Sequence, residues 1–360
     1  MTRYQVTDST RYAEWFRCPE KRRLYSEEGG TGVVSREDSI DTAFGTLIHD
    51  AAEAMLMGED ARQHQNVFFH KCMDQDWGRT IDAHPRSTEM AWLGVGLLEA
   101  LKRKLPDFFT TYKVEAVEQE LVLPLQRGVV WCTRPDAILS RADGSHFNCN
   151  IKTMGYMDDV AKHFEYSVQM FMEALAVRKS RGQDTQGTVI VALNKGKKQG
   201  PLKSDRDAGR TQGFRRDSPF TYVWSRNGLW SLTWAAGSIK MPVWVFNKSP
   251  YEWLDKLAPD VLLSQCEITP PISQSHMDES SLISDIVNVE SLVLYGPWPR
   301  NYNNCNNDGQ FKRDCPYKPW CHGTEQEREQ GFVPRTPNHP VEDTIRGHSG
   351  GSTLDSKDAW

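Results

Sequence analysis

One change of pattern limits this chain more than any other feature. Through residues 41–113 apolar residues recur at helical spacing, as in Phe44, Leu47, Ile48, Ala51 and Met55. Residues 117–125, 129–140 and 147–153 then alternate apolar and polar, which predicts three strands with a turn at Asp143-Gly144. Residues 161–180 return to the helical period, with Phe164, Val168, Phe171 and Leu175 as the stripe, and 188–193 read as a buried strand. The order helix, three strands, helix, strand predicts an α/β core with a mixed central sheet flanked by helices.

Around this core the rest of the chain divides by composition. Residues 1–40 hold a predicted helix over 9–25 and a Gly-rich loop, and 41–115 form a helical subdomain. The core is expected over 116–295, a Cys-rich segment over 296–325, and a disordered polar tail over 326–360. Residues 220–247 suggest further strands and 250–266 a helix. The segment 195–216 is a polar insertion. Its Lys195, Lys197, Lys198, Lys203, Arg206, Arg210, Arg215 and Arg216 stand against Asp205 and Asp207, a net charge of +6.

The whole chain of 360 residues carries a net charge of −5, which excludes a protein that coats nucleic acid by global basicity. No cationic start precedes an apolar stretch, and the longest apolar runs are far too short to cross a bilayer. The expectation is a cytoplasmic protein with no membrane partner, whose eight cysteines do not form a disulfide scaffold and whose clustered ones bind metal or iron–sulfur.

Three short signals occur in a fixed order: Gly45-Thr46-Leu47-Ile48-His49 on a helix, Arg134-Pro135-Asp136 on a strand, and Asn150-Ile151-Lys152-Thr153 at the end of the next strand. Each has an ordinary explanation when taken singly: a helix-face histidine, a turn aspartate, a strand-end lysine. Together they fit hydrolysis of a phosphodiester. A hard divalent ion takes oxygen ligands, so an aspartate at a strand end serves it. Alternation puts positions 150 and 152 on one face, where a second ligand and a charge-stabilising lysine would share the ion.

These residues resemble the PD-(D/E)XK nucleases of the RecB/AddB type, including iron–sulfur exonucleases related to CRISPR adaptation and phage nucleases. That pattern runs G-x-x-x-H, an aspartate, (D/E)-x-K-T, then Q-x-x-x-Y on a helix. The chain matches it at His49, Asp136, Lys152-Thr153 and Gln169. The resemblance implies a restriction-endonuclease-like fold with Mg²⁺ or Mn²⁺ on His49 and Asp136. It makes Lys152 catalytic and gives Gln169 a part in organising the site.

Two positions depart from the pattern. Asn150 stands where an acid is expected, and Glu173 where tyrosine is frequent. An amide is a weaker ligand than a carboxylate. Asn150 is then an engineered replacement, a natural loss of activity, or a position whose role passes to Glu173 or Glu120.

Cys305, Cys315 and Cys321 follow a Cys-x9-Cys-x5-Cys spacing, and Cys18 in FRCPEKRRLY resembles the family's first cluster motif. Four thiolates suit a 4Fe-4S cluster, which the resemblance favours, or a tetrahedral zinc. The cluster would tie residue 18 to residues 305–321. The implied activity is a DNA exonuclease on single strands or ends, in recombination, repair or phage DNA processing. A helicase or recombination protein is a possible partner, and the +6 insertion would track the phosphate backbone. The alternative is a catalytically impaired fold that binds DNA or protein.

Overall fold

The structure is a computed structural model. It describes residues 5–28, 32–35, 40–74, 83–155, 157, 159–182, 185–195, 212–213, 222–223, 263, 265–302, 305, 315–336 and 339.

Strand β1 (Gln5–Thr7) leads into helices α1 (Ser9–Arg17) and α2 (Pro19–Ser26). The expected single helix is split at Cys18, whose backbone is extended (φ −163°, ψ 111°). Pro19 explains the break, because its ring disfavours helical geometry in the residue before it. A short β2 (Val33–Ser35) precedes three long helices, α3 (Ile40–Leu56), α4 (Ala61–Asp74) and α5 (Ala83–Thr111).

Strands β3 (Lys113–Val117), β4 (Leu121–Pro124), β5 (Val129–Thr133), β6 (Ala137–Ser140) and β7 (His146–Met154) follow. Two of the three expected strands are therefore divided. The stretch 129–140 breaks at Arg134–Asp136, since Pro135 has no N–H to give a ladder. Its halves join different sheets.

Helices α6 (Val160–Phe164) and α7 (Val168–Arg181) replace the single helix expected over 161–180. Ser167 separates them and caps α7 by accepting the Met170 N–H at 3.4 Å. Then come β8 (Thr185–Asn194), the short β9 (Gln212–Gly213) and β10 (Tyr222–Val223), β11 (Cys266–Ile268) and α8 (Glu279–Tyr295). Helices α9 (Lys318–His322) and α10 (Glu325–Gly331) and strand β12 (Phe332–Pro334) complete the described elements. The start of the supposed disordered tail is thus ordered. Phe332 packs with Leu24, Val33 and Tyr317, and β12 pairs with β2.

The main sheet has the order β11-β8-β7-β6-β3, with β7 and β8 parallel and the other neighbours antiparallel. A smaller sheet runs β1-β5-β4. Helices α3–α5 cover one face of the main sheet: Phe44, Ile48, Ala52 and Met55 share a core with Leu139, Cys149, Ile151, Val191 and Leu193. Helices α6 and α7 cover the other, where Val160 and Met170 meet Ile190 and Ala192. Each such Leu, Ile or Met removed from water contributes about 1.5–3 kcal/mol. The mixed sheet between helices is the fold class the sequence predicts. The segments 220–247 and 250–266 lie almost entirely outside the described residues.

Gly94 on α5 allows the closest approach of α4. A Cβ there would overlap the Phe68 ring, which is buried edge-to-face on Phe44 at 5.9 Å. Gly94→Ala should cost about 1–3 kcal/mol by overpacking, read as a lower Tm. An unchanged Tm would mean that the α4–α5 contact is looser than this.

Candidate metal centre and cysteine cavity

His49 and Glu53 stand four residues apart on α3, so they share one helix face. Asp136 sits in the bend that enters β6, opposite that face. His49 Nδ1 lies 3.6 Å from Asp136 Oδ1. Among the described residues, His49, Glu53 and Asp136 form the one group of three His, Cys, Asp or Glu side chains whose ligand atoms all lie within 4.8 Å of one another. Asp136 Oδ2 accepts the backbone N–H of Ile151 at 2.5 Å, which fixes the aspartate against β7.

The electrostatics show strong crowding of negative charge. Burial pushes the Glu53 carboxyl up, and the charges of Glu118 and Asp136 push it further. Burial also raises Glu118, against the pull of Arg134, whose Nε is 2.6 Å from Glu118 Oε2. Burial alone would raise Asp136, but the bond from His49, the Lys152 charge and the Ile151 amide outweigh it and hold this carboxyl below its usual range. One imidazole nitrogen, two carboxylates and a third acid beside them make a donor set that suits a hard or borderline divalent ion. A dication there would offset the repulsion that the carboxylates now suffer.

On β7 alternate residues point to opposite faces. Cys149 and Ile151 join the core with α3 and α5. Asn148 and Asn150 turn to α7, where both Nδ2 groups donate to Glu173 Oε2, at 2.9 and 2.5 Å. Gln169 Nε2 donates to Glu173 Oε1 at 2.9 Å and lies 3.5 Å from Asn150 Oδ1. Burial pushes the Glu173 carboxyl up, while Lys152 and the three amides pull it back. The Lys152 charge pulls down both Asp136 and Glu173. Of the two acids considered as substitutes for position 150, Glu173 is therefore in contact with Asn150. Glu120 instead lies 3.2 Å from His339 Nδ1.

The structure places His49 beside Asp136, and Asn150 and Gln169 beside Glu173, with Lys152 near enough for its charge to act on both Asp136 and Glu173. It adds two residues that sequence reasoning missed, Glu53 and Glu118. The His-x-x-x-Glu spacing on α3 was the available signal for Glu53. Glu118 carried none: it falls within the stretch expected as a strand, whereas its left-handed backbone (φ 47°) turns the chain between β3 and β4. Of the basic insertion, Lys195 alone among the eight cations is described. Its N–H donates to Met154 O at 2.7 Å, so the insertion leaves the sheet at the end of β7 and β8 that carries Lys152. Lys197, Lys198, Lys203, Arg206, Arg210, Arg215 and Arg216 lie outside the described residues.

Cys18, Cys305, Cys315 and Cys321 line one small cavity with Arg17, Lys21, Arg300 and Lys318. None is in a disulfide. Cys18 holds its place at the α1–α2 corner, where its Sγ accepts the Asn301 N–H at 3.4 Å. Cys305 O accepts the Cys315 N–H at 2.9 Å, and Cys305 Sγ lies 3.7 Å from His322 Nε2.

A mixed sheet between helices, with an imidazole, carboxylates and a lysine gathered beside two neighbouring strands, defines the class of metal-dependent nuclease folds. The chain belongs to the PD-(D/E)XK nuclease superfamily, whose family model matches residues 9–322. A search of curated proteins found no match.

Gly45, the first residue of the helix signal, is not sterically required: a Cβ there would meet Thr153 Oγ1 at an ordinary 3.9 Å. Gly45→Ala should leave stability unchanged or raise it by up to about 1 kcal/mol, as alanine does within helices. A fall in Tm would show a tighter α3–β7 approach than this geometry.

Proposed function

We propose that the protein is a DNA nuclease that cleaves phosphodiester bonds with Mg²⁺ or Mn²⁺ held by His49, Glu53 and Asp136. The single observation that carries this is the convergence of those three side chains within 4.8 Å, beside the strand that bears Lys152. When bound, the ion would supply a water of lowered pKa and offset phosphate charge. Lys152 is placed to oppose the charge that develops on the scissile phosphate. Gln169 braces Asn150 and Glu173 at the start of α7. The cations of 195–216 leave the sheet beside Lys152 and would track the backbone of the strand. The resemblance of the His49, Asp136 and Lys152 signals supports a RecB/AddB-type exonuclease that acts on single strands or ends, with a role in recombination, repair or phage DNA processing beside a helicase or recombinase.

The four cysteines are proposed to hold a 4Fe-4S cluster. A zinc ion with sulfurs at 2.3 Å in a tetrahedron would need them roughly 3.8 Å apart. The four cysteines line one cavity, and the resemblance of Cys18 and of the Cys-x9-Cys-x5-Cys spacing favours the larger cluster over zinc. The basic lining supports an anionic occupant.

A second reading, an impaired fold that binds DNA without cutting it, draws on one observation: position 150 is a neutral amide, 1% exposed and bonded to Glu173.

Labelled single-stranded DNA incubated with Mn²⁺ separates these readings. The chain should degrade linear but not circular substrate. Asp136→Ala and Lys152→Ala should each lose at least about 100-fold in rate, the scale of a removed transition-state charge partner. Binding without degradation by the parent chain would favour the second reading, and full activity in both variants would sink the first.

Cys18→Ala or Cys321→Ala should give colourless, poorly soluble protein, whereas the parent purified without air is brown. Zinc in place of iron by metal analysis, with normal yield, would overturn the cluster assignment.

A further inference from the structure

Asn150 replaces the acid of the family pattern, yet it is not an isolated amide. Its Nδ2 is 2.5 Å from Glu173 Oε2, and both residues are buried, at 1% and 2% exposed. Asn148 Nδ2 donates to the same oxygen at 2.9 Å and to Thr188 Oγ1 at 3.3 Å. Gln169 Nε2 takes the other oxygen at 2.9 Å. A carboxylate that receives three amide N–H groups is used as an acceptor throughout. It selects the Nδ2 side of Asn150 and leaves Oδ1 turned to Gln169, 3.5 Å away.

We propose that Glu173 is a positioning residue that fixes the amide of Asn150 so that position 150 presents an oxygen to the site, with the negative charge of the usual acid moved from β7 to α7. The inference deepens the metal-centre proposal and rests on it for the effect on metal binding. The packing argues for a matched pair and against a lesion. An aspartate at 150 would put two carboxylates in contact at a buried position, where unpaired or like charge is costly. The amides of Asn148 and Gln169 would then be left to satisfy both. Asn150 therefore belongs with Glu173, and neither substitution is neutral alone.

The test is a double-mutant cycle on the full chain, with Asn150→Asp, Glu173→Gln and the double variant. Thermal unfolding and Mn²⁺ titration followed by calorimetry are both read. Asn150→Asp alone should lower Tm by roughly 5 °C. Glu173→Gln should weaken Mn²⁺ binding about 10- to 100-fold, the usual effect of losing a group that orients a ligand. The double variant, with the acid returned to β7 and an amide on α7, should recover both Tm and Mn²⁺ affinity to near the parent values. A purely structural role for Glu173 would not restore metal binding in the double variant, so recovery of Tm without recovery of affinity overturns the proposal. Asn150→Asp that is as stable as the parent and binds Mn²⁺ more tightly also overturns it, and would mark position 150 as a lost acid. If the parent itself binds no Mn²⁺, the metal-centre reading fails instead. The Tm cycle then decides the pairing alone: additive losses reject it, and recovery in the double variant keeps it.

Discussion

The bond from the Ile151 N–H to Asp136 Oδ2 is the constraint on which the site depends. Asp136 follows Pro135, at the point where the chain leaves the small sheet and enters the main one. A proline cannot continue a ladder, so this backbone is free to turn. The Ile151 amide recaptures it at once. That bond places the carboxylate beside β7 and opposite α3, where His49 comes within 3.6 Å. Without it Asp136 would have a buried carboxylate short of one of its charge-stabilising partners, a costly arrangement. The proline break and the amide bond are thus two halves of one device.

Strand β7 divides the surroundings into unlike halves. Ile151 and Cys149 point into the apolar layer under α3 and α5, and Asn148 and Asn150 face Glu173 on α7. On the α3 side, acids crowd one another: Glu53, Glu118 and Asp136 repel, and burial makes the repulsion worse. On the α7 side, one acid is surrounded by amide donors. Crowded acids suit a place where a cation binds. A saturated acid suits a place where geometry must be held. The Lys152 charge reaches both carboxylate environments and lowers Asp136 and Glu173 alike.

Much of this was legible in the sequence, for physical reasons. A switch from helical to alternating period reports which faces are buried, so the α/β core and the order of its elements could be read directly. His49, Asp136 and Lys152 were legible because each sits inside such a pattern. Breaks were harder to see. The stretch 129–140 alternates without interruption, and its division at Pro135 depends on a choice between two sheets that no local pattern records. The divisions at Cys18 and Ser167 hide in the same way within continuous helical stripes. Glu53 looked like one more polar helix residue, since spacing alone does not say what lies across from a helix face. Phe332 was lost in a polar tail, although one aromatic ring was enough to anchor β12 against Leu24 and Val33.

The cysteine cavity and the candidate metal centre are built from different parts of the chain but joined through few elements. Cys18 begins α2, and Arg22 on that helix forms a buried pair with Glu290 of α8 at 3.0 Å. Glu290 also accepts from Gln5 and Thr7 of β1, each at 2.6 Å. Burial pushes this carboxyl up even against the pull of Arg22 and Thr7, so losing a partner would destabilise its charged form further. Strand β1 in turn pairs with β5 from Gln5↔Val129 to Thr7↔Trp131, and β5 runs within three residues of Asp136. The cysteine corner, the Arg22–Glu290 pair and the small sheet therefore form one continuous brace behind the aspartate. Removing Arg22 would leave Glu290 buried with only the neutral donors Gln5 and Thr7, whereas Arg22 would keep Glu27 at 3.1 Å if Glu290 were lost. A group that clamps the four sulfurs would stiffen the same path from its far end, which gives a closure near the chain termini a physical bearing on the position of Asp136.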